Sequence, residues 1–203
     1  MRKRHGTTFL IQDKHAFPYF ADVVLCLPPS GAPARNVGLK FVALKDKLGD
    51  WSNASSEVEY HGARAVKVGE VGRGVNVIID MVQRTRLECC IGSSAGMDAA
   101  FRVAKNHCEG REVFGRKLTG QPLMAHLLKD LEAESAAATL LALRMSRAFD
   151  ESEEGGHLAR VGVPAAKFHV CKRQPMFVYE CLECLGGNGY VEGWPLARMF
   201  RAR

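Results

Sequence analysis

The sequence has 203 residues, 47% of them hydrophobic and 25% charged, with a formal net charge of +6. That is enough chain for one good-sized core or two modest domains, with the composition of an ordinary globular protein. No stretch approaches the roughly 18 uninterrupted apolar residues of a membrane helix. The basic residues are scattered apart from Arg198, Arg201 and Arg203, so no nucleic-acid stripe is expected either.

Residues 1–5 are basic, and Phe9-Leu10-Ile11 behind them is too short for a signal-peptide core. The serine and arginine enrichment of a mitochondrial presequence does not continue. The expected compartments are the cytoplasm or the mitochondrial matrix. Residues 1–20 match no recognisable element.

Residues 21–27 form a short apolar run closed by Pro28-Pro29-Ser30-Gly31, a strand followed by a turn. Residues 37–44 alternate loosely, and Ser56-Glu57-Val58-Glu59-Tyr60 alternates with the period of two that marks a half-buried strand. So few strands do not close a sheet. Residues 1–70 are therefore expected to be part of a β domain, and residues 71–203 a helical bundle.

From Gly74 the apolar spacing switches to threes and fours, through Ile78, Ala95, Phe101 and Cys108, and Gly110 is placed to end that helix. Pro122 suits the first turn of a second helix, which carries Leu127, Leu131, Leu141 and Met145. Residues 150–156 form an acidic, Gly-rich connection. A third helix is expected from Pro164 to about Leu185, kinked at Pro175, and a fourth from Pro195. Ile78, Phe101, Leu127, Leu131, Leu141 and Phe168 are the expected interior of a mainly α bundle.

Seven cysteines, an odd number, sit mostly inside apolar segments, which is the usage of buried free thiols. Cys181 and Cys184 form a CxxC, but without a second ligand pair or a thioredoxin-like context no metal site is expected.

Two motifs carry chemistry. Arg111-Glu112-Val113-Phe114-Gly115-Arg116-Lys117-Leu118 lies between the first two long helices, and Glu183-Cys184-Leu185-Gly186-Gly187-Asn188-Gly189-Tyr190 closes the third. An arginine in a loop offers planar, bidentate donors to a pyrophosphate. Phe114 offers an apolar face, Gly115 a tight turn, and Gly186-Gly187 a close backbone approach with free N–H groups. Taken singly, Arg111 could be a surface helix-end arginine and the glycines a plain helix cap.

Together, in this order, the two motifs resemble the RxxFGxxL and QxxGGxGY signatures of the acyl-CoA dehydrogenase family. Residues 45–55 and Gln121-Pro122-Leu123-Met124 are closest to its AidB-like (adaptive-response) subgroup. The resemblance covers residues 21–203. It implies the end of the middle β domain followed by the C-terminal helical bundle of that family. It implies FAD as cofactor, an acyl-CoA substrate oxidised at its Cα–Cβ bond, and a homo-oligomer in which flavin is bound across a subunit interface. Carried over residue by residue, the cofactor contacts are Arg111, Phe114, Glu183, Gly186 and Gly187, with Gln121 displaced by one from the family position. Arg86 matches an arginine supporting the active-site wall, beside the alternative of an ordinary helix ion pair.

Glu183 departs from the family's glutamine. A carboxylate near cofactor phosphates weakens binding unless an arginine neutralises it. In most branches the catalytic glutamate lies in a YEG or WEG motif, and neither tripeptide occurs in the chain. No catalytic residue is assigned, and the chain alone is expected to be inactive. The alternatives are a non-catalytic, oligomerising or nucleotide-binding remnant and, more remotely, a DNA-binding protein of the AidB-like kind.

Overall fold

The computed structural model describes residues 23–26, 39–49, 55–61, 65–68, 72–151 and 155–201. The expectations for residues 1–20, for the turn at 28–31 and for residues 50–54 lie outside these.

Four strands come first. β1 (Val23–Cys26) pairs antiparallel with β4 (Ala65–Val68), and β2 (Leu39–Leu44) with β3 (Ser56–Tyr60). The second pair is interrupted by a bulge between Phe41 and Ala43. β4 leaves no mark in the sequence, because four residues are too few for a period to declare itself. Across β2 and β3, Lys40 pairs with Glu59 and Lys45 with Glu57. Those lysine hydrogen bonds hold both carboxyls below the usual range. Both ribbons are two-stranded, and Phe41, Val42 and Leu44 are exposed.

α1 (Gly74–Gly110) is followed by a short hairpin of β5 (Glu112–Val113) and β6 (Arg116–Lys117), then by α2 (Pro122–Asp150), α3 (Gly155–Glu183) and α4 (Pro195–Arg201). Pro122 opens α2 as expected, since its missing N–H is one that a first turn leaves unused. Contacts divide the chain into two compact units, Met1–Lys47 with Trp51–Val82, and Leu48–Asp50 with Gln83–Arg203.

α3 begins nine residues before the expected Pro164 and runs through both Pro164 and Pro175. Pro164 removes the N–H that would have reached the carbonyl of Arg160, one turn back. Gln83 on α1 supplies the replacement, its Nε2 donating to that carbonyl at 3.2 Å. A proline is thus accommodated inside a helix that sequence rules would start there.

The core of the second unit is built from α1, α2, α3 and α4. Met97, Ala100, Phe101, Ala104 and Cys108 meet Leu131, Ala138, Ala142 and Met145, then Val163, Val170, Phe177, Val178 and Leu196. Leu131 and Phe101 are buried as expected, and Leu127 and Leu141 pack against the core from its edge. Phe168 does not belong to it, being 69% exposed. It stands two residues from both Ala166 and Val170, which is about 200° of helix rotation from the buried face. Arg173 joins α3 to α2 through a two-pronged contact with Glu134 (2.5 and 2.9 Å) and also reaches Glu180 at 3.2 Å. Those hydrogen bonds, Glu134 first, raise the Arg173 pKa.

Candidate cofactor site

The C-terminal end of α1 turns directly into the arginine loop. The Arg111 N–H donates to His107 O at 2.9 Å, and Leu118 N–H donates back to Arg111 O at 2.9 Å, closing the β5–β6 hairpin. Phe114 and Gly115 at its tip both have positive φ, 51° and 72°. Two consecutive left-handed residues are the signature of a type I′ turn, whose twist matches the flanking strands. Glycine meets this without strain, whereas Phe114 meets it against the usual preference. The Phe114 side chain is 98% exposed. Gln121 donates its Nε2 to Val113 O at 3.2 Å and so braces the hairpin from below.

The second loop follows α3. Gly186 adopts φ 58° and starts a 3-10 turn, Gly186–Tyr190. Gly189 packs so tightly that a Cβ there would lie 2.1 Å from Leu182 O. Gly186 and Gly187 are the opposite case: a Cβ on either would meet nothing within 4 Å. Their backbone faces open space.

The two loops meet around a cleft of about 550 Å³, lined among others by His107, Arg111, Met124, Glu183, Gly186 and Gly187. This lies within the usual range for small-molecule and cofactor sites. Arg111, Glu183, Gly186 and Gly187, four of the expected cofactor contacts, are thereby brought together. Phe114 and Gln121 do not line the cleft: one stands at the hairpin tip and the other under it. Arg86 is half-buried on α1, about 30 Å along the helix axis from His107 at 1.5 Å per residue. His107, Met124 and Asn188 were not foreseen. His107 could have been found from its place one helical turn before Arg111.

Arg111 makes no ion pair among the described residues, and neither does Glu183. Glu183 has instead a hydroxyl partner: the Tyr190 hydroxyl lies 3.2 Å from its Oε1 and 3.3 Å from the Tyr179 hydroxyl. A phenol has one proton, and only the carboxylate has none to offer. Tyr190 therefore donates to Glu183 and accepts from Tyr179. The contact with Tyr190 and then the nearby Glu183 carboxylate raise the Tyr179 pKa well above its ordinary value. No arginine forms an ion pair with Glu183 among the described residues, although Arg111 lines the same cleft.

Cys184, which lines the cleft, and Cys181 are buried free thiols. Burial pushes Cys181 up to about 12, and a hydrogen bond with Cys108, then burial, raises Cys184. Among the described residues no group of three or more His, Cys, Asp or Glu side chains is placed to hold a metal ion. No described helix is long and apolar enough to cross a membrane.

The donor set fits a dinucleotide pyrophosphate. It comprises an uncommitted guanidinium, an accessible glycine backbone and a cleft of suitable volume, on elements that converge from two helix ends.

Comparison with known proteins bears on the family and the fold. Residues 72–203 match the family model described as acyl-CoA dehydrogenase, C-terminal domain. The chain is 42% identical over 165 residues to AidB of Escherichia coli strain K12, covering 80% of this chain and 30% of AidB. It is 31% identical over 170 residues to acyl-CoA dehydrogenase family member 11 of Caenorhabditis elegans, covering 81% of this chain and 28% of that protein. The crystal structure of Caenorhabditis elegans ACDH-11 in complex with C11-CoA superposes with a TM-score of 0.77 at 30% identity, over 81% of this chain and 29% of that one. The chain spans less than a third of the length of each of these relatives. With its helical bundle, its two signature loops and these matches, the chain belongs to the acyl-CoA dehydrogenase family and carries its C-terminal helical domain.

Proposed function

We propose that the cleft between the arginine loop and the double-glycine turn grips the pyrophosphate end of FAD. The chain is then the cofactor-holding part of an FAD-dependent enzyme that oxidises the Cα–Cβ bond of an acyl-CoA thioester. The observation that carries this is the convergence of Arg111, Gly186 and Gly187 on one cleft. Arg111 supplies two parallel N–H donors to phosphate oxygens. Gly186 and Gly187 supply backbone donors at a distance no side chain would permit. When bound, the flavin supplies a hydride acceptor.

In this reading Phe114 and Gln121 belong to the same site through the hairpin. Gln121 holds the hairpin's shape, while the exposed Phe114 reaches away from this chain's cleft toward a second copy in a homo-oligomer. Arg86 serves the substrate wall, at the far end of α1. Residues 71–203 act as the bundle and residues 1–70 as the edge of a β domain. The cytoplasm or mitochondrial matrix is the corresponding compartment. A DNA-binding role draws no support from the described surface, and no substrate chain length is assigned.

The test is a flavin titration of the chain followed by fluorescence. An affinity weaker than roughly micromolar is expected, because only one wall of the cofactor site is offered. Arg111→Ala should weaken it about tenfold or more, the loss of a charge-assisted contact worth roughly 1.5–3 kcal/mol. Unchanged binding in Arg111→Ala would remove the cleft from the cofactor site.

A further inference from the structure

Two buried thiols meet beside the cleft and take no part in holding a cofactor. Cys108 lies in the last turn of α1, three residues before Arg111, and is fully buried. Cys184 directly follows α3, two residues before Gly186, and lines the cleft. The two thiols share a hydrogen bond, which holds Cys108 below the ordinary thiol range and raises Cys184. Cys184 Sγ also lies 3.3 Å from Glu180 O, a second acceptor for its one proton.

The other described thiols are placed differently. Cys181 is fully buried, does not line the cleft, and is pushed up to about 12 by burial, so it stays protonated. Cys89, Cys90 and Cys171 form a separate group, in which the Cys171 thiol meets Ser93 Oγ at 3.2 Å and the Cys89 carbonyl at 3.6 Å. Cys90 and Cys108 stand roughly 27 Å apart along α1 at 1.5 Å per residue. Cys108 and Cys184 alone combine sulfurs in contact, a proton that leaves the pair readily, and an opening through which an oxidant arrives. The sulfurs must close to about 2.05 Å to bond. Cys184 has the freedom to make that move, since it stands past the last residue of α3.

We propose that Cys108 and Cys184 are a redox-modifiable pair, which a hydroperoxide entering the cleft joins in a reversible disulfide that staples the arginine loop to the double-glycine turn. The oxidant meets Cys184 first. Cys184 sulfur attacks a peroxide oxygen while its proton passes to the Cys108 thiolate, the O–O bond breaks, and hydroxide leaves. Cys184 is then a sulfenic acid. The Cys108 thiol attacks its sulfur, the S–S bond forms, and water leaves. The two sulfurs have lost two electrons and the peroxide has gained them, and a dithiol reductant reverses the change. The inference holds whether or not the cleft takes a nucleotide.

The full chain, reduced and freed of reductant, would be treated with hydrogen peroxide, alkylated, and digested with trypsin and a glutamate-specific protease without reduction. Cleavage after Glu180 and Glu183 puts Cys181 and Cys184 on separate peptides, so mass spectrometry reads the pairing directly. The expected product is a Cys108–Cys184 disulfide that dithiothreitol reverses, that Cys184→Ser abolishes and that Cys181→Ala retains. In the oxidised chain, amide exchange over residues 111–118 and 186–190 should slow, and the melting temperature should rise by about 5–10 °C. The native chain decides the matter even where a variant fails to fold. Peroxide that leaves both thiols free to alkylation, pairs either of them with Cys181, or carries Cys184 on to a sulfinic acid without a cross-link overturns the inference. A Cys108–Cys184 disulfide that leaves exchange in both loops unchanged overturns the staple.

Discussion

The side chain of Gln83 donates to the carbonyl of Arg160, the one backbone acceptor that Pro164 leaves without its helical partner. The contact ties α1 to α3 near the start of the bundle. Gln83 Oε1 is buried without a partner of its own, so the residue is held there by one useful bond.

A double-mutant cycle measures that bond. Gln83→Met alone should destabilise the chain, by about 0.5–1.5 kcal/mol for a typical net hydrogen bond. Pro164→Ala restores an N–H to the Arg160 carbonyl, and in that background the cost of Gln83→Met should largely vanish. Urea denaturation of the four proteins gives the coupling directly. Additive losses would mean that Gln83 stabilises α3 by packing and not through Arg160.

The two glycines of the turn after α3 separate structure from binding. At Gly189 a Cβ would collide with a backbone oxygen that cannot move cheaply. Gly189→Ala should therefore lower stability by roughly 1–3 kcal/mol, the usual cost of overpacking. Gly187 has open space, so Gly187→Ala should keep the melting temperature and lose flavin affinity, as its methyl group projects where phosphate is proposed to sit. Thermal melts with flavin titrations on both variants check the contrast. Equal effects in the two assays would leave no special role for Gly187.

These contrasts mark what the sequence could and could not express. The helices were legible because their periods run for many turns, and Pro122 and Gly110 punctuate them. The motif spacing singled out Arg111, Glu183, Gly186 and Gly187, which the structure places around one cleft, because loop chemistry is written in consecutive residues. The start of α3 was not legible, since the partner that accommodates Pro164 is 81 residues away in the chain, at Gln83. Phe168 was misplaced for a related reason. In a helix with small and polar residues on its buried face, Ala166 and Gln174 among them, the large apolar residue is a poor guide to which side is inside. The Tyr179–Tyr190–Glu183 chain was equally hidden, because it needs the 3-10 turn to fold Tyr190 back onto α3.

The loop between that turn and α4 should respond to acid. Arg201 clamps Glu192 through two contacts, Nη1 to Oε1 at 2.8 Å and Nη2 to Oε2 at 2.9 Å. The hydrogen bond to Arg201 holds the Glu192 carboxyl below the ordinary value of 4.5. A depressed folded-state pKa means the pair stabilises fully above the ordinary value and is lost as pH falls through the lowered one. Trp194, inside the clamped loop, meets the His107 ring edge-on at 6.2 Å. In a Trp51→Phe background, Trp194 emission should therefore show a step below pH 4.5 that Glu192→Gln abolishes. A step that survives the substitution would assign the change to another group.

Oxidation of an acyl-CoA needs a base at the substrate α-carbon, and general-base assistance is worth about 10²–10⁴-fold in rate. Three carboxylates lie in the carboxyl-terminal part of the bundle, and each already has a partner. Glu180 is bonded to Arg173 at 3.2 Å, Glu183 accepts from Tyr190, and Glu192 is clamped by Arg201. Of these, Glu192 is also made a weaker base by the guanidinium beside it, since a lowered pKa reduces the driving force for taking a proton. A polypeptide of residues 1–203, supplied with FAD, is therefore expected to give no measurable acyl-CoA oxidation with an artificial electron acceptor at any acyl length. Co-expression with a segment bearing the family's YEG or WEG motif should restore flavin binding first, and then turnover that depends on that glutamate. Turnover by residues 1–203 alone, abolished by Glu183→Gln or Glu192→Gln, would show that one of these committed carboxylates is released in the substrate complex and acts as the base.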